Sequence, residues 1–306
     1  MATPSEPVLL VEEENVVSET VPTSRGRLVV RRFLRRKTAV AGFFVVVLLF
    51  FLAFVGPHLT KWSYTAVDVN NPFSPPSTTH WFGTNTLGQD VFAQTMRGLQ
   101  KSLLIGLIGA VLATGVAGIL GAIAGYFGKA ADRTVVVLID LLLVLPSFLI
   151  VAVLSPLFRG KTWLIFVVLL AAFQWMLTAR VVRGLTQSLR EREFVSAARF
   201  MGVPGWKIII RHILPNMASF LIIDATINVS SLILAEVALS YFGFGIQAPD
   251  VSLGSLIGEY TNNADTYPWL FWLPSLVLVV LVLAVNLVGD GVRDALDPNS
   301  RITGGP

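Results

Sequence analysis

The sequence predicts an all-α integral membrane protein with six transmembrane helices and both termini in the cytoplasm. Three observations carry that prediction. Hydrophobic residues make up 54% of the chain and charged ones 14%, a balance that leaves little to solvate a globular surface. Six apolar runs, at 38–57, 102–126, 134–157, 162–183, 215–239 and 269–289, match the roughly 20 residues that cross ~30 Å of hydrocarbon. They are continuous rather than alternating, which excludes a lipid-facing β-barrel. Basic residues, finally, cluster at two places: Arg25, Arg27, Arg31, Arg32, Arg35, Arg36 and Lys37, then Arg180, Arg183, Arg190, Arg192, Arg199, Lys207 and Arg211. The connection 241–268 has no Lys or Arg. The positive-inside rule then puts 1–37, 127–133, 184–214 and 290–306 in the cytoplasm and 58–101, 158–161 and 240–268 outside. Arg159 and Lys161 oppose the rule mildly, as do Lys61, Arg97 and Lys101.

Residues 1–24 hold Glu6, Glu12, Glu13, Glu14 and Glu19 and few aromatics, the composition of a disordered cytoplasmic tail. A cleaved signal peptide would begin with a basic region instead, so the first span is an uncleaved anchor. Residues 25–101 comprise the basic segment, that anchor and a long outer loop. A five-helix core fills 102–290, interrupted by the cytoplasmic loop 184–214, and 291–306 form a C-terminal tail.

Each span carries its own information. The second has small residues every four positions, Gly106, Ala110, Thr114, Gly118 and Ala122, with a second ladder at Ala117, Gly121 and Gly125. Such ladders let helices approach closely in lipid, within one subunit or between two. Pro146 and Pro274 bend the third and sixth spans. Charges inside a bilayer cost about 2.5–3.5 kcal/mol at its centre, so each needs a reason. Asp140 lies in the third span. Asp224, Asn228 and Ser231 share one face of the fifth, with Glu236 near its outer end. Two readings stay open: a hydrated translocation face, or a buried hydrogen-bonded packing cluster.

The absence of catalytic motifs narrows the function. No cysteine and only three scattered histidines leave no thiolate or histidine metal site. No phosphate loop occurs: near Gly128-Lys129, Ile123 and Ala130 stand where a glycine and a hydroxyl are needed. The sequence pI near 9.6 reflects the membrane asymmetry, not nucleic-acid binding.

The loop from Arg190 to Asn216 is basic and helix-patterned. Phe194, Ala197, Ala198 and Met201 fall at i, i+3, i+4 and i+7, one helical face. Gly202 breaks that helix, and Pro204 suits the first turn of a second running to about Ile213. A small, knobbly face centred on two alanines suits a partner's groove; a loop lying on the bilayer surface is the plain alternative.

Ser196-Ala197-Ala198-x3-Gly202, followed by His212-x-Leu214-Pro215, resembles the E-A-A-x3-G-x9-I-x-L-P signature of membrane subunits of bacterial ABC importers. Ser196 replaces its glutamate and His212 its isoleucine. Phe82-Gly-Thr-Asn-Thr-Leu-Gly-Gln-Asp90 is similar to F-G-T-D-x-x-G-R-D of C-type dipeptide and oligopeptide permeases, departing from it at Asn85 and Gln89. Glu236-x-x-Leu-Ser-Tyr-Phe-Gly-Phe-Gly245 and Asn286-Leu-Val-Gly-Asp-Gly-Val-Arg-Asp-Ala-Leu-Asp-Pro298 resemble two more signatures of that subfamily.

The resemblance implies a type I importer permease in the bacterial cytoplasmic membrane, working by alternating access. Its partners would be a homologous permease, two ATP-binding subunits that hold ATP and Mg, an extracytoplasmic peptide-binding protein, and lipid. This chain would hold no cofactor and would not itself be an enzyme. The implied ATPase-coupling residues are Phe194, Ser196, Ala197, Ala198, Arg199, Met201, Gly202 and Pro215, the last of which would end the unit at the membrane. The candidate path residues are Asp140, Asp224, Asn228 and Glu236. Dipeptides, longer peptides, nickel chelates, glutathione and haem stay open as cargo. A stand-alone secondary transporter or channel is the rival.

Overall fold

The computed structural model describes residues 25–158, 163–248 and 250–297. The acidic tail 1–24, Arg159, Lys161 and the end of the C-terminal tail lie outside them. Among the described residues the chain is helical, with two isolated bridges, Val67–Gln89 and Thr84–Asp90, in the connection after the first long helix.

A short basic helix, α1 (Arg25–Arg35), leads into α2 (Lys37–Leu59). Next comes α3 (Val91–Phe127), whose 37 residues give a rod on the order of 55 Å long. It starts well before the predicted 102, because Asp90 caps it: the Asp90 carboxylate accepts from Ala93 N at 2.7 Å. The connection predicted over 58–101 therefore shrinks to 60–90. With α6 (Trp163–Arg190), α10 (Ala218–Tyr241) and α12 (Pro268–Leu296), these make five unbroken helices able to cross a bilayer. α12 runs on through Pro274.

The third span differs from the single bent helix expected. α4 (Lys129–Val144) and α5 (Ser147–Leu154) meet at 79° around Pro146. Proline has no N–H to give the carbonyl of Leu142, so the ladder stops there. The broken pair nevertheless crosses. α4 begins beside the end of α3, whereas Ser155 Oγ donates to Phe244 O just past the opposite end of α10. That completes six crossings.

Helix α3 is the hub. A Cβ on Gly121 or Gly125 would stand 2.6 Å from the carbonyl oxygens of Ala179 and Arg183, so the second small-residue ladder seats α6 backbone to backbone. The first ladder seats α10: Gly106 faces Ile233 and the Val229 carbonyl, and Gly118 faces Leu221. Both ladders pack within the subunit. At the basic end, α1 is tied to α12 by an Arg36–Asp294 ion pair and by Arg32 donating to Asp297 O.

Candidate coupling and translocation sites

At the basic end, α7 (Glu193–Phe200) stands across the ends of α3 and α6. It stops in a Schellman turn: Val203 N donates to Ala198 O, Gly202 N donates to Arg199 O, and Gly202 takes φ +76°. Pro204 lies just before α8 (Gly205–Ile208) rather than inside its first turn. A π turn, Ile209–Ile213, follows, then α9 (Leu214–Asn216). Pro215 thus sits within a nearly continuous path into α10 and does not end the unit. The π turn is the local consequence. Leu214 N reaches back to Ile209 O, shifting the ladder just ahead of a proline that cannot donate to it.

The predicted single face of this helix divides in two. Ala198 is buried with Val195, packed into a cluster with Tyr126, Val182, Ile208 and Ile213. Phe194, Ala197 and Met201 point outward with Phe200, which is 93% exposed and which sequence reasoning does not single out. Ser196 is half-buried, so the position of the signature glutamate flanks the crest rather than forming it. Arg199 lies 5.9 Å over the Tyr126 ring, and Arg190 Nη1 donates to Tyr126 O. The crest is apolar, exposed and anchored through Tyr126 to the end of α3.

The four candidate path residues fall in three places. Asp140 pairs with Arg180 on α6. Glu236 is 0% exposed. Its carboxylate accepts from Ser102 Oγ at 3.1 Å and Ser240 Oγ at 2.6 Å, and Ser252 Oγ donates on to Ser240. It therefore knits together α3, α10 and the start of α11 (Leu253–Tyr260). Only Asp224 and Asn228 come together. Asp224 accepts from Thr114 Oγ1 (2.7 Å), Thr178 Oγ1 (2.8 Å) and Asn228 Nδ2 (2.8 Å), while Gln174 Nε2 donates to Asn228 Oδ1 (3.0 Å). Gln174, Thr178, Asp224 and Asn228 line a cavity of about 490 Å³ between α6, α10 and the Pro146 break. Gln174 and Thr178 are legible as the two polar residues, at i and i+4, of the apolar stretch 163–179.

At the opposite end, the Phe82–Asp90 stretch forms a tight turn with Gly83 and Gly88 at positive φ. His80 Nδ1 lies 2.8 Å from Asp90 Oδ2, backing the α3 cap. Arg97 and Lys101, on the projecting first turns of α3, clamp Asp250 at 2.9 and 3.0 Å. Burial alone would raise the Asp250 pKa, but the hydrogen bonds from Lys101 and Arg97 outweigh it and hold the carboxyl below its ordinary value.

Comparison with known proteins places this arrangement. Residues 117–302, more than half the chain, match the family described as binding-protein-dependent transport system inner membrane component. The chain belongs to that family. It is a multi-pass inner-membrane permease subunit and not an enzyme. Residues 24–76 further match the N-terminal TM domain of oligopeptide transport permease C. The oligopeptide transport system permease protein OppC of Mycobacterium tuberculosis is 54% identical over 279 residues, covering 91% of this permease and 96% of the relative. A putative peptide permease protein of Brucella suis is 35% identical, covering 94% and 96%. OppC of Haemophilus influenzae is 37% identical, covering 89% and 88%. Among solved structures, a chain of the MetNI methionine ABC transporter superposes with a TM-score of 0.53 at 20% identity, covering 67% of this permease and 96% of that chain. At that identity the likeness is one of fold.

Proposed function

We propose that this permease subunit imports oligopeptides by alternating access, as one half of a membrane pathway completed by a homologous permease. Two partner ATPases, which bind ATP and Mg, dock on the basic end in the cytoplasm, and an extracytoplasmic binding protein delivers peptide to the other end. The single observation that carries this reading is the crest of α7. A soluble loop would bury Phe194, Phe200 and Met201, yet all three stand outward on a helix fixed by a Schellman turn behind and the Tyr126 cluster beneath. An exposed apolar group on a rigid mount is suited to a partner's groove. The choice of oligopeptide rests on the relatives named OppC. Asp224 and Asn228 face the path; Asp140 and Glu236 hold helices together.

The test is Ala197→Arg in the reconstituted complex, with peptide uptake and ATP hydrolysis measured together. Ala197 is exposed, so the variant folds; the ATPases are expected to dissociate or to hydrolyse ATP without uptake. Wild-type uptake per ATP would refute the coupling role.

A further inference from the structure

The geometry points to the cavity beside Pro146 as a binding site for the primary ammonium group of the peptide in transit. This rests on the reading that the cavity faces the path.

Asp224 is a membrane-embedded carboxylate surrounded by neutral donors. Thr114, Thr178 and Asn228 supply three hydrogen bonds. A carboxylate offers about four acceptor positions. Among the described residues no Lys, Arg or His lies within ion-pair distance of Asp224, and Arg180, on the same helix as Thr178, is taken by Asp140. Charge inside a membrane is retained where it meets a partner or a hydrated pathway.

A second, independent feature has the same sign. Leu142, Leu143 and Leu145, at the end of α4, line the same cavity. The carbonyls there close a helix whose C-terminus carries partial negative charge, and Pro146 cannot donate to that of Leu142. Broken membrane helices use such ends to hold cations. Gln174 adds to it: with Nε2 given to Asn228, its Oε1 is left to accept.

The cation these groups suit is an ammonium rather than a metal. Among the described residues no group of three His, Cys, Asp or Glu exists to hold a metal ion, and the Asp224 oxygens are already shared with three donors. An –NH3 group brings three N–H bonds that can be divided among a carboxylate, a helix-end carbonyl and an amide oxygen. A volume of about 490 Å³ admits one or two residues of an extended peptide around it.

The experiment compares uptake of one apolar tetrapeptide with a free amine and the same peptide N-acetylated, in proteoliposomes carrying the whole complex and its binding protein. The quantity read is the free-to-acetylated rate ratio in Asp224→Asn relative to wild type; any preference of the binding protein is common to both and cancels. The ratio is expected to fall roughly tenfold, the loss of a charge-assisted hydrogen bond, and adding Gln174→Glu to Asp224→Asn should restore it. An unchanged ratio overturns the assignment. Should Asp224→Asn not assemble, Gln174→Lys keeps the three donors of Asp224 in place and must lower the same ratio. Because the chain has no cysteine, Leu177→Cys in the cavity wall separates the two readings. Labelling slowed by peptide, together with an unchanged ratio, overturns the ammonium site alone. Labelling indifferent to peptide overturns the path reading and this one with it.

Discussion

Asn85 Nδ2 donates to Gln89 Oε1 at 2.9 Å, joining the two residues at which the Phe82–Asp90 turn departs from the pattern of its subfamily. That pattern puts an acid and a base at these positions; here two amides meet instead. Asn85 Oδ1 also accepts from Leu87 N and Gln89 N, and Asn85 Nδ2 donates to Tyr260 OH. The two departures therefore act as one exchange that keeps the turn closed without charge. Asn85→Asp or Gln89→Arg alone is expected to cost about 1–3 kcal/mol by stranding a buried polar group. The double variant should recover most of that. Thermal unfolding of the purified complex reads the cycle, and additive losses would mean that the pair is not coupled.

The α3–α6 seam should be intolerant of volume. Gly121→Val or Gly125→Val would put a Cβ 2.6 Å from a backbone carbonyl oxygen, well inside van der Waals contact, and loss of the assembled subunit from detergent extracts is the expected readout. Gly184→Ala is the control. Its Cβ would meet nothing within 4 Å, and helix propensity favours alanine by roughly 1 kcal/mol.

Gly202 separates strain from contact. A Cβ there meets nothing within 4 Å, but φ is +76°, which costs a side chain about 1 kcal/mol. Gly202→Ala should lower stability slightly and leave ATPase binding intact. Phe200→Asp, at a 93% exposed position, should do the reverse: normal folding, with ATPase recovery in pull-down lost. Equal effects of the two on pull-down would remove the case for the crest.

Acid should loosen the Asp250 clamp. The Asp250 carboxyl has a lowered folded-state pKa, so its stabilising effect is complete above the ordinary carboxylate value of about 4 and is lost as pH falls through the lower folded value. The labelling rate of Val251→Cys, taken relative to a fully exposed cysteine at the same pH, is expected to stay low from neutral pH to about 5 and to rise only in stronger acid. Asp250→Asn should label fast at neutral pH and show no such acid step.

The apolar runs locate every crossing, because a helix buried in lipid must satisfy its backbone internally and so needs length and apolarity alone. What the pattern hides is set by tertiary contact. Basic α1 reads as topogenic charge, yet Leu28, Val29 and Phe33 are half-buried, a stripe that only its docking on α12 explains. The start of α3 depends on Asp90 as a cap, a signal present in sequence but masked by the polar turns that follow. Asp224 and Glu236 look alike as intramembrane acids. Their difference lies in neighbours from remote spans, Thr178 for one and Ser102 for the other, which no periodicity within a single helix reveals. Likewise Ala198 and Ala197 are adjacent in the signature, but only the ends of α3 and α6 decide which is covered.

Helix α3 crosses the molecule without interruption, carrying the Asp90 cap and the Asp250 clamp at one end and the Tyr126 footing of α7 at the other. A rod on the order of 55 Å long acts as a lever: tilting it by about 5° about one end sweeps the other through roughly 5 Å, given that length. Force applied at the α7 end would therefore reach the Asp250 end as geometry, within a single rigid piece, before any side chain changes partner.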